Sequence, residues 1–448
     1  MKMQRVLRFI SLGVLLLFLA GTAVAQINKW RDVHSVKKNE TFTSIAQQYG
    51  ITVDELKQAN PEISDPGMLK KGERLFIPYT AAPSEPAANN EKIGVATRPI
   101  RLGIMLPLNS KNREGRQMVE YYRGVLMACD SVKKQGISVS VNAWNVEETT
   151  VISKILDTQE AKNLDLIIGP LHANKMQPLS DFITKHATMM VMPFAVNSNE
   201  VERNRNIFQI YQRPDAVNAV SVDYICKHFK NYHPVIIDCA DEKSTKGAFT
   251  KALREAFKQG GIKFSLTSLK TPTNSLLKAF EENERNVVIL NSGSTKSMNE
   301  VFSKLTIVQN LKPKAKISVL GYPEWQPEAA SKENLFFKYD VYLPVNEFTE
   351  MRSNAVKRFH NKYRHNFHQD LMSGTPCMGL AGFDHAYFFL KGLHKYGKAF
   401  DGAAGRFTYE PLQAPMRFVR LGGGGYQNQG FLFVHYNASK RNVETINY

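Results

Sequence analysis

Cysteine is scarce in this chain, with four in 448 residues. Cys129, Cys226, Cys239 and Cys377 are too widely spaced to frame a disulfide scaffold or a zinc site. Only one apolar run approaches membrane length, at the N-terminus, which excludes a polytopic membrane protein. No Gly-x-Ser-x-Gly, no His-Glu-x-x-His and no readable Cys–His pairing occurs. Glu147-Glu148 and Glu281-Glu282 are chain neighbours, so neither pair argues for a glycosidase. His360, His365 and His368 sit beside Arg364 in a basic stretch without an obvious carboxylate partner, which reads as a solvated helix face rather than a metal site. A non-enzymatic protein with no cofactor and no metal is therefore expected.

Acid is also short. There are 41 Asp and Glu against 58 Lys and Arg, a net charge of +17. The chain is otherwise globular in composition, 43% hydrophobic and 22% charged, which excludes wholesale disorder. Lys2, Arg5 and Arg8 precede the apolar stretch Phe9–Ala20, and Ala23-Val24-Ala25 follows it. This is the order of a signal peptide over residues 1–25, with Gln26 as the mature N-terminus. An uncleaved anchor is the competing reading, but the run is short. No cysteine for lipidation lies nearby. The mature chain is expected to be exported, periplasmic or wall-associated, without a transmembrane segment. Outside the cytoplasm nucleic acid is not an expected partner, and acidic envelope polymers suit the basic balance better.

Residues 33–79 read strand, helix, helix, strand. Thr52-Val53-Asp54-Glu55 is a capping box, Asn60-Pro61 stops the second helix, and Arg74–Pro78 is the closing strand. His34 to Ala46, then Tyr49 to Leu56, Asn60-Pro61 and Leu69 to Pro78 together resemble a LysM module from end to end. The resemblance implies a βααβ fold that binds N-acetylglucosamine-containing glycans such as peptidoglycan. It places Asn39, Glu40, Thr41 and Phe42 on one side of a shallow groove and Asn60, Pro61, Glu62 and Ile63 on the other. The family usually has Gly-Asp where this chain has Asn39-Glu40, and Asn is the next-best residue for a left-handed turn. Residues 27–79 carry a net charge of about +1, so neutral hydrogen bonding rather than charge would hold a sugar.

Residues 80–98, rich in Ala, Pro, Asn and Glu, form a linker between the module at 27–79 and a large part at 99–448. The large part alternates strand and helix twice over, which argues for an α/β protein of two doubly wound lobes. The pattern includes one long helix over 150–163, a strand over 264–269, helices near 350–366 and 378–397, and a β-rich tail. Gly422–Gly425 reads as a hairpin turn between strands 416–421 and 430–436 rather than a phosphate loop. Cys129 falls in an apolar stripe with Met118, Tyr122, Val125, Leu126 and Val132, where a buried free thiol is expected. Cys226 and Cys239 lie at opposite ends of a helix–strand unit, too far apart to bridge.

Ile104 to Leu108, Ile167-Ile168-Gly169-Pro170-Leu171, Met192-Pro193-Phe194, Tyr211 to Asp215 and Gly382 to Tyr387 recur in the order of the type I periplasmic-binding fold. The large part resembles that family, the leucine-type solute-binding proteins. Strand ends and helix starts then place His172, Ala173, Asn174, Asn197, Ser198, Asp241, Ser244, Glu324 and Trp325 around an inter-lobe cleft. The amino-acid-binding members implied by the resemblance use small hydroxyl residues and a Tyr-Gly pair, where this chain has His172-Ala173-Asn174 and Ser244-Thr245-Lys246-Gly247. That departure argues against amino-acid capture. Relatives of this fold include outer-membrane activators of peptidoglycan synthases, which implies a cell-wall synthase or another envelope protein as partner. The competing reading is a transporter's receptor for amino acids or another small-molecule ligand.

Overall fold

The computed structural model describes residues 30–49, 51–60, 63, 69–78, 98–109, 111–212, 214–241, 246–403, 405–407 and 409–447. The expected signal peptide and residues 80–97 of the linker lie outside them.

The chain order is β1 (Trp30–Ser35), α1 (Phe42–Tyr49), α2 (Val53–Gln58), β2 (Arg74–Pro78), β3 (Ile100–Leu106), α3 (Arg113–Lys133), β4 (Val139–Asn145), α4 (Ser153–Leu156), α5 (Gln159–Lys162), β5 (Leu166–Ile168), α6 (Met176–His186), β6 (Met189–Met192), α7 (Glu200–Arg203), β7 (Ile207–Gln209) and α8 (Pro214–His228). It continues with β8 (Tyr232–Asp238), α9 (Gly247–Gln259), β9 (Ser265–Ser268), α10 (Thr273–Leu277), β10 (Arg285–Leu290), α11 (Thr295–Leu311), β11 (Lys316–Leu320), α12 (Glu333–Lys338), β12 (Val341–Val345), α13 (Asn354–Phe367), α14 (Met378–Tyr396), β13 (Phe418–Arg420), β14 (Tyr426–Asn428), β15 (Leu432–Asn437) and β16 (Asn442–Asn447). The first two strands form an antiparallel pair. The others build two seven-stranded mixed sheets, in the orders β13-β14-β7-β6-β5-β3-β4 and β16-β15-β12-β11-β10-β8-β9.

The described residues fall into two compact units. One holds 30–78, 98–119 and 138–190, and the other holds 120–137 and 191–447. In the first, β1 pairs with β2 in register from His34↔Leu75 to Ser35↔Arg74. Val36, Phe42, Ile45, Tyr49, Leu56, Leu75 and Ile77 make the small core above that pair. The capping box forms as read: the Glu55 amide donates to Thr52 Oγ1 at 3.1 Å and the Thr52 amide to Glu55 Oε2 at 2.8 Å. Strand β3 is flanked in parallel by β4 and β5.

In the second unit, parallel strands β8, β10 and β11 run side by side. Their continuous apolar runs are buried on both faces, as a helix-covered parallel sheet requires. Val235, Val288, Val319 and Leu343 pack there with Phe302, Trp325 and Phe336.

Four elements depart from the sequence reading. The helix over 150–163 is broken into α4 and α5, because the Thr158 hydroxyl donates to the Ile155 carbonyl at 2.7 Å and accepts from the Ala161 amide at 3.3 Å. Strand β12 was not foreseen, since Pro344 interrupts its pattern. Its parallel pairing to β11 covers only Val341 and Tyr342, so the proline lies beyond it. Gly422–Gly425 is a hairpin turn, but its second strand is β14, not 430–436. Strand β15 instead pairs antiparallel with β12 in the other sheet. His368 is a left-handed residue after α13 (φ 53°), so it does not share a helix face with His365.

All four cysteines are free. Burial pushes the Cys129 thiol up to about 12. Among the described residues no cluster of His, Cys, Asp and Glu could hold a metal ion, and no helix is long and apolar enough to cross a membrane.

Candidate functional site

In the βααβ module, Asn39 takes the left-handed conformation at φ 68°, and both Asn39 and Thr41 are exposed. Thr41 begins α1 through a reciprocal pair: its amide donates to Ser44 Oγ at 2.9 Å and its Oγ1 accepts from the Ser44 amide at 3.1 Å. The turn is polar and exposed, but the Thr41 amide, hydroxyl and carbonyl are engaged with Ser44 and Ile45.

Other proposed groove residues are committed elsewhere. Phe42 is 3% exposed and belongs to the core, so its ring is not a sugar platform. Asn60 is 2% exposed and spends its amide on backbone. Its Nδ2 donates to the Leu56 and Phe76 carbonyls at 2.7 and 2.8 Å, and its Oδ1 accepts from the Phe76 amide at 2.6 Å. It ties the end of α2 to β2 and has no free face for a ligand. Ile63 packs partly buried against the core. Pro61 and Glu62 lie outside the described residues.

Glu40 is also engaged within the fold. Its Oε2 lies 2.7 Å from His34 Nε2 and accepts from the Lys37 amide at 2.7 Å, while His34 Nδ1 lies 3.1 Å from the Tyr49 hydroxyl. Burial acts to raise the Glu40 pKa, but the Lys37 amide and the His34 ring outweigh it and hold the carboxyl below its usual 4.5. A depressed carboxylate stabilises the folded state above its unfolded pKa, and this contribution is lost as pH falls through the folded value. Below about pH 4.5, the protection of the α1 amides in wild type, taken relative to the slowing intrinsic exchange rate, is therefore expected to fall. Glu40→Gln should lose that dependence, and an unchanged acid profile in the variant would contradict it.

At the strand ends of the first unit, His172 precedes a 3-10 turn and lies 3.6 Å from Glu114. Ala173 and Asn174 are exposed, and Asn174 Nδ2 donates to the Glu148 carbonyl at 3.0 Å. Lys175, which sequence reasoning passed over, is buried and donates to the same carbonyl at 2.6 Å.

In the second unit, Asn197 is exposed and Ser198 Oγ accepts from the Glu200 amide at 3.2 Å. Asp241 accepts a short hydrogen bond from Ser292, whose hydroxyl also meets Ser294 and Ser297. Glu324 pairs with Lys246 at 2.7 Å, and the ammonium sits 4.8 Å above the Tyr322 ring. Trp325 is fully buried, not a cleft surface. Its indole N–H donates to the Gly293 carbonyl at 3.0 Å and its ring packs near Phe302 and Phe336. Asp241, Lys246, Ser292 and Glu324 thus form a largely self-paired polar cluster past the ends of β8, β10 and β11. Ser244 lies outside the described residues.

Residues 34–78 match the LysM domain family, and the chain carries a LysM domain there. Over 195 residues the chain is 25% identical to the Leu/Ile/Val-binding protein BraC3 of Rhizobium johnstonii, covering 40% of this chain and 49% of that protein. A 58-residue stretch is 33% identical to SpoIVD-associated factor A of Bacillus subtilis, 12% of this chain and 15% of that protein. The chain thus spans half or less of the length of these curated relatives. A solved structure from Rhodospirillum rubrum, assigned as a branched-chain amino acid ABC transporter, covers 78% of this chain and 100% of its own at a TM-score of 0.52 and 12% identity. The large part has the type I periplasmic-binding-like fold expected of it.

Proposed function

We propose that this chain is an exported, non-enzymatic envelope protein that binds peptidoglycan through its LysM domain. Its periplasmic-binding-like part would serve as a sensor or docking platform at the wall, for a cell-wall synthase or another envelope protein. The observation that carries the reading is the joining of a LysM domain at 34–78 to this fold in one chain. A receptor that must diffuse to a transporter gains nothing from being tied to the wall. Deleting residues 34–78 is expected to abolish co-sedimentation with insoluble peptidoglycan. The full chain should still pellet at about 0.5 M salt, where charges more than a few Å apart are screened. Loss of pelleting at that salt would point to charge adhesion instead.

The relative named a Leu/Ile/Val-binding protein favours a second reading, a receptor for such amino acids. Against it, Glu324, the acid available for an ammonium, is already paired with Lys246. Binding at micromolar affinity needs about −8 kcal/mol, which an uncompensated charge in a desolvated site would not allow. Calorimetric titration with leucine, isoleucine and valine is expected to give dissociation constants weaker than about 10 μM. A tighter value for any of them would restore the receptor reading.

A further inference from the structure

Outside the proposed sites, the second unit has an open pocket of about 510 Å³ between the N-terminal half of α9 and the ends of β8 and edge strand β9. That volume is within the ~300–1,000 Å³ usual for small-molecule sites. Its lining is chemically mixed. Arg254 of α9 is half-buried, and among the described residues no carboxylate lies within ion-pair distance of it. Lys251 and Lys258, at the i−3 and i+4 positions, share its helix face and are exposed. Asp238 stands at the end of β8. Its Oδ1 accepts from the Ala240 amide and from Asn291 Nδ2, both at 2.9 Å, which among the described residues leaves Oδ2 to accept from something else.

Two hydroxyls of the same pocket are open to a ligand, those of Ser268 and Thr271, while the Thr250 hydroxyl is spent on the Lys246 and Gly247 carbonyls. Ser268 Oγ accepts from the Lys270 amide and Thr271 Oγ1 from the Ser268 amide, each at 3.1 Å, so both keep an O–H to give. Beside them Leu266 is 59% exposed, a large apolar side chain left in water at the pocket wall.

A ligand that satisfies this set carries an anionic group for Arg254, hydroxyls for Asp238, Ser268 and Thr271, and an apolar face for Leu266. A simple dianion would be repelled by Asp238 and would leave the hydroxyls and Leu266 unused. A zwitterionic amino acid would satisfy the two charged groups and leave the two hydroxyls without work. We propose that this pocket binds a carboxylated sugar, with Arg254 on the carboxylate, Asp238, Ser268 and Thr271 on the ring hydroxyls, and Leu266 against the ring face. Arg–carboxylate pairing supplies the directional, charge-assisted contact that sets the orientation. The site lies outside the LysM domain and does not depend on it.

The test is saturation-transfer NMR and titration of the full chain with N-acetylmuramic acid and with glucuronic acid. Methyl glucoside and alanine serve as neutral and zwitterionic controls. At least one acidic sugar is expected to bind at about millimolar affinity, at least tenfold tighter than either control. Preference for the first probe would indicate wall glycan as the source, and preference for the second an acidic polysaccharide. Arg254→Gln should weaken binding about tenfold with an unchanged unfolding midpoint, and with peptidoglycan pelleting through the LysM domain intact. Should that variant fail to fold, Asp238→Asn decides, with an expected loss of about threefold. No binding at about 20 mM, equal binding of methyl glucoside, tighter binding of alanine, or unchanged affinity in the folded variants would overturn the assignment.

Discussion

Asp384→Ala is expected to destabilise the second unit by about 3–5 kcal/mol, read as a lowered midpoint in denaturant unfolding. The carboxylate is completely buried on α14. Its Oδ1 accepts from the Leu412 amide at 2.9 Å, and its Oδ2 from the Gln413 and Ala414 amides at 2.8 and 3.2 Å. Residues 412–414 belong to no helix or strand, so these amides depend on Asp384 for a partner. Alanine would orphan all three and leave a void.

Burial pushes the Asp384 carboxyl up to about 6, against the pull of those amides, while burial pushes its neighbour His385 down to about 3. The signs oppose. A raised carboxyl favours the folded state below its unfolded pKa of about 3.8, and the benefit is lost as pH rises through 6. A buried neutral histidine costs stability as pH falls from about 6.5 toward 3. Between about pH 4 and 6 the two slopes, each near 1.4 kcal/mol per pH unit, offset each other. In Asp384→Asn the histidine acts alone, so that variant should lose stability on acidification where wild type stays nearly flat. A flat profile in the variant would refute the pairing of the two effects.

Gly382→Ala should also be destabilising, although alanine is the better helix former by about 1 kcal/mol. A Cβ at Gly382 would collide with the Tyr121 carbonyl oxygen, and one at Gly124 with the Gly379 carbonyl oxygen. The two glycines, one on each helix, let α3 and α14 cross backbone to backbone. There Tyr121 hydrogen-bonds His385 Nδ1 at 2.9 Å. Neither backbone can yield as a side chain would, so a loss of about 2–3 kcal/mol or more is expected from either substitution. A midpoint at or above that of wild type would mean that the helices can separate without penalty.

Gly382-Phe383-Asp384-His385 was legible in the sequence as a family resemblance, and its physical content is these contacts. A glycine makes the crossing, an acid collects loop amides, and a histidine reaches across to Tyr121. The capping box at Thr52 and Glu55 was legible for a local reason, since both partners lie within one turn. The glycan groove was less so. Asn60 and Phe42 stand at the positions the resemblance names, but their partners, Phe76 for one and the core for the other, come from distant chain. Trp325 followed a strand and preceded a turn, as a cleft residue would. Only the packing of α11 and α12 shows that it faces inward. The tail was misread for a similar reason, because spacing alone cannot say which of two sheets a short strand joins.

That tail has a consequence for how the protein folds. Without β13 and β14 one sheet would end at β7, and without β15 and β16 the other would end at β12. The segment from Phe418 onward therefore covers the edge that β7 would leave in one sheet and the edge that β12 would leave in the other. A chain cut before Phe418 would bare the edges of β7 and β12 at once, each a template for joining another such chain. Until the segment from Phe418 docks, the folding chain is open to edge-to-edge aggregation in both sheets.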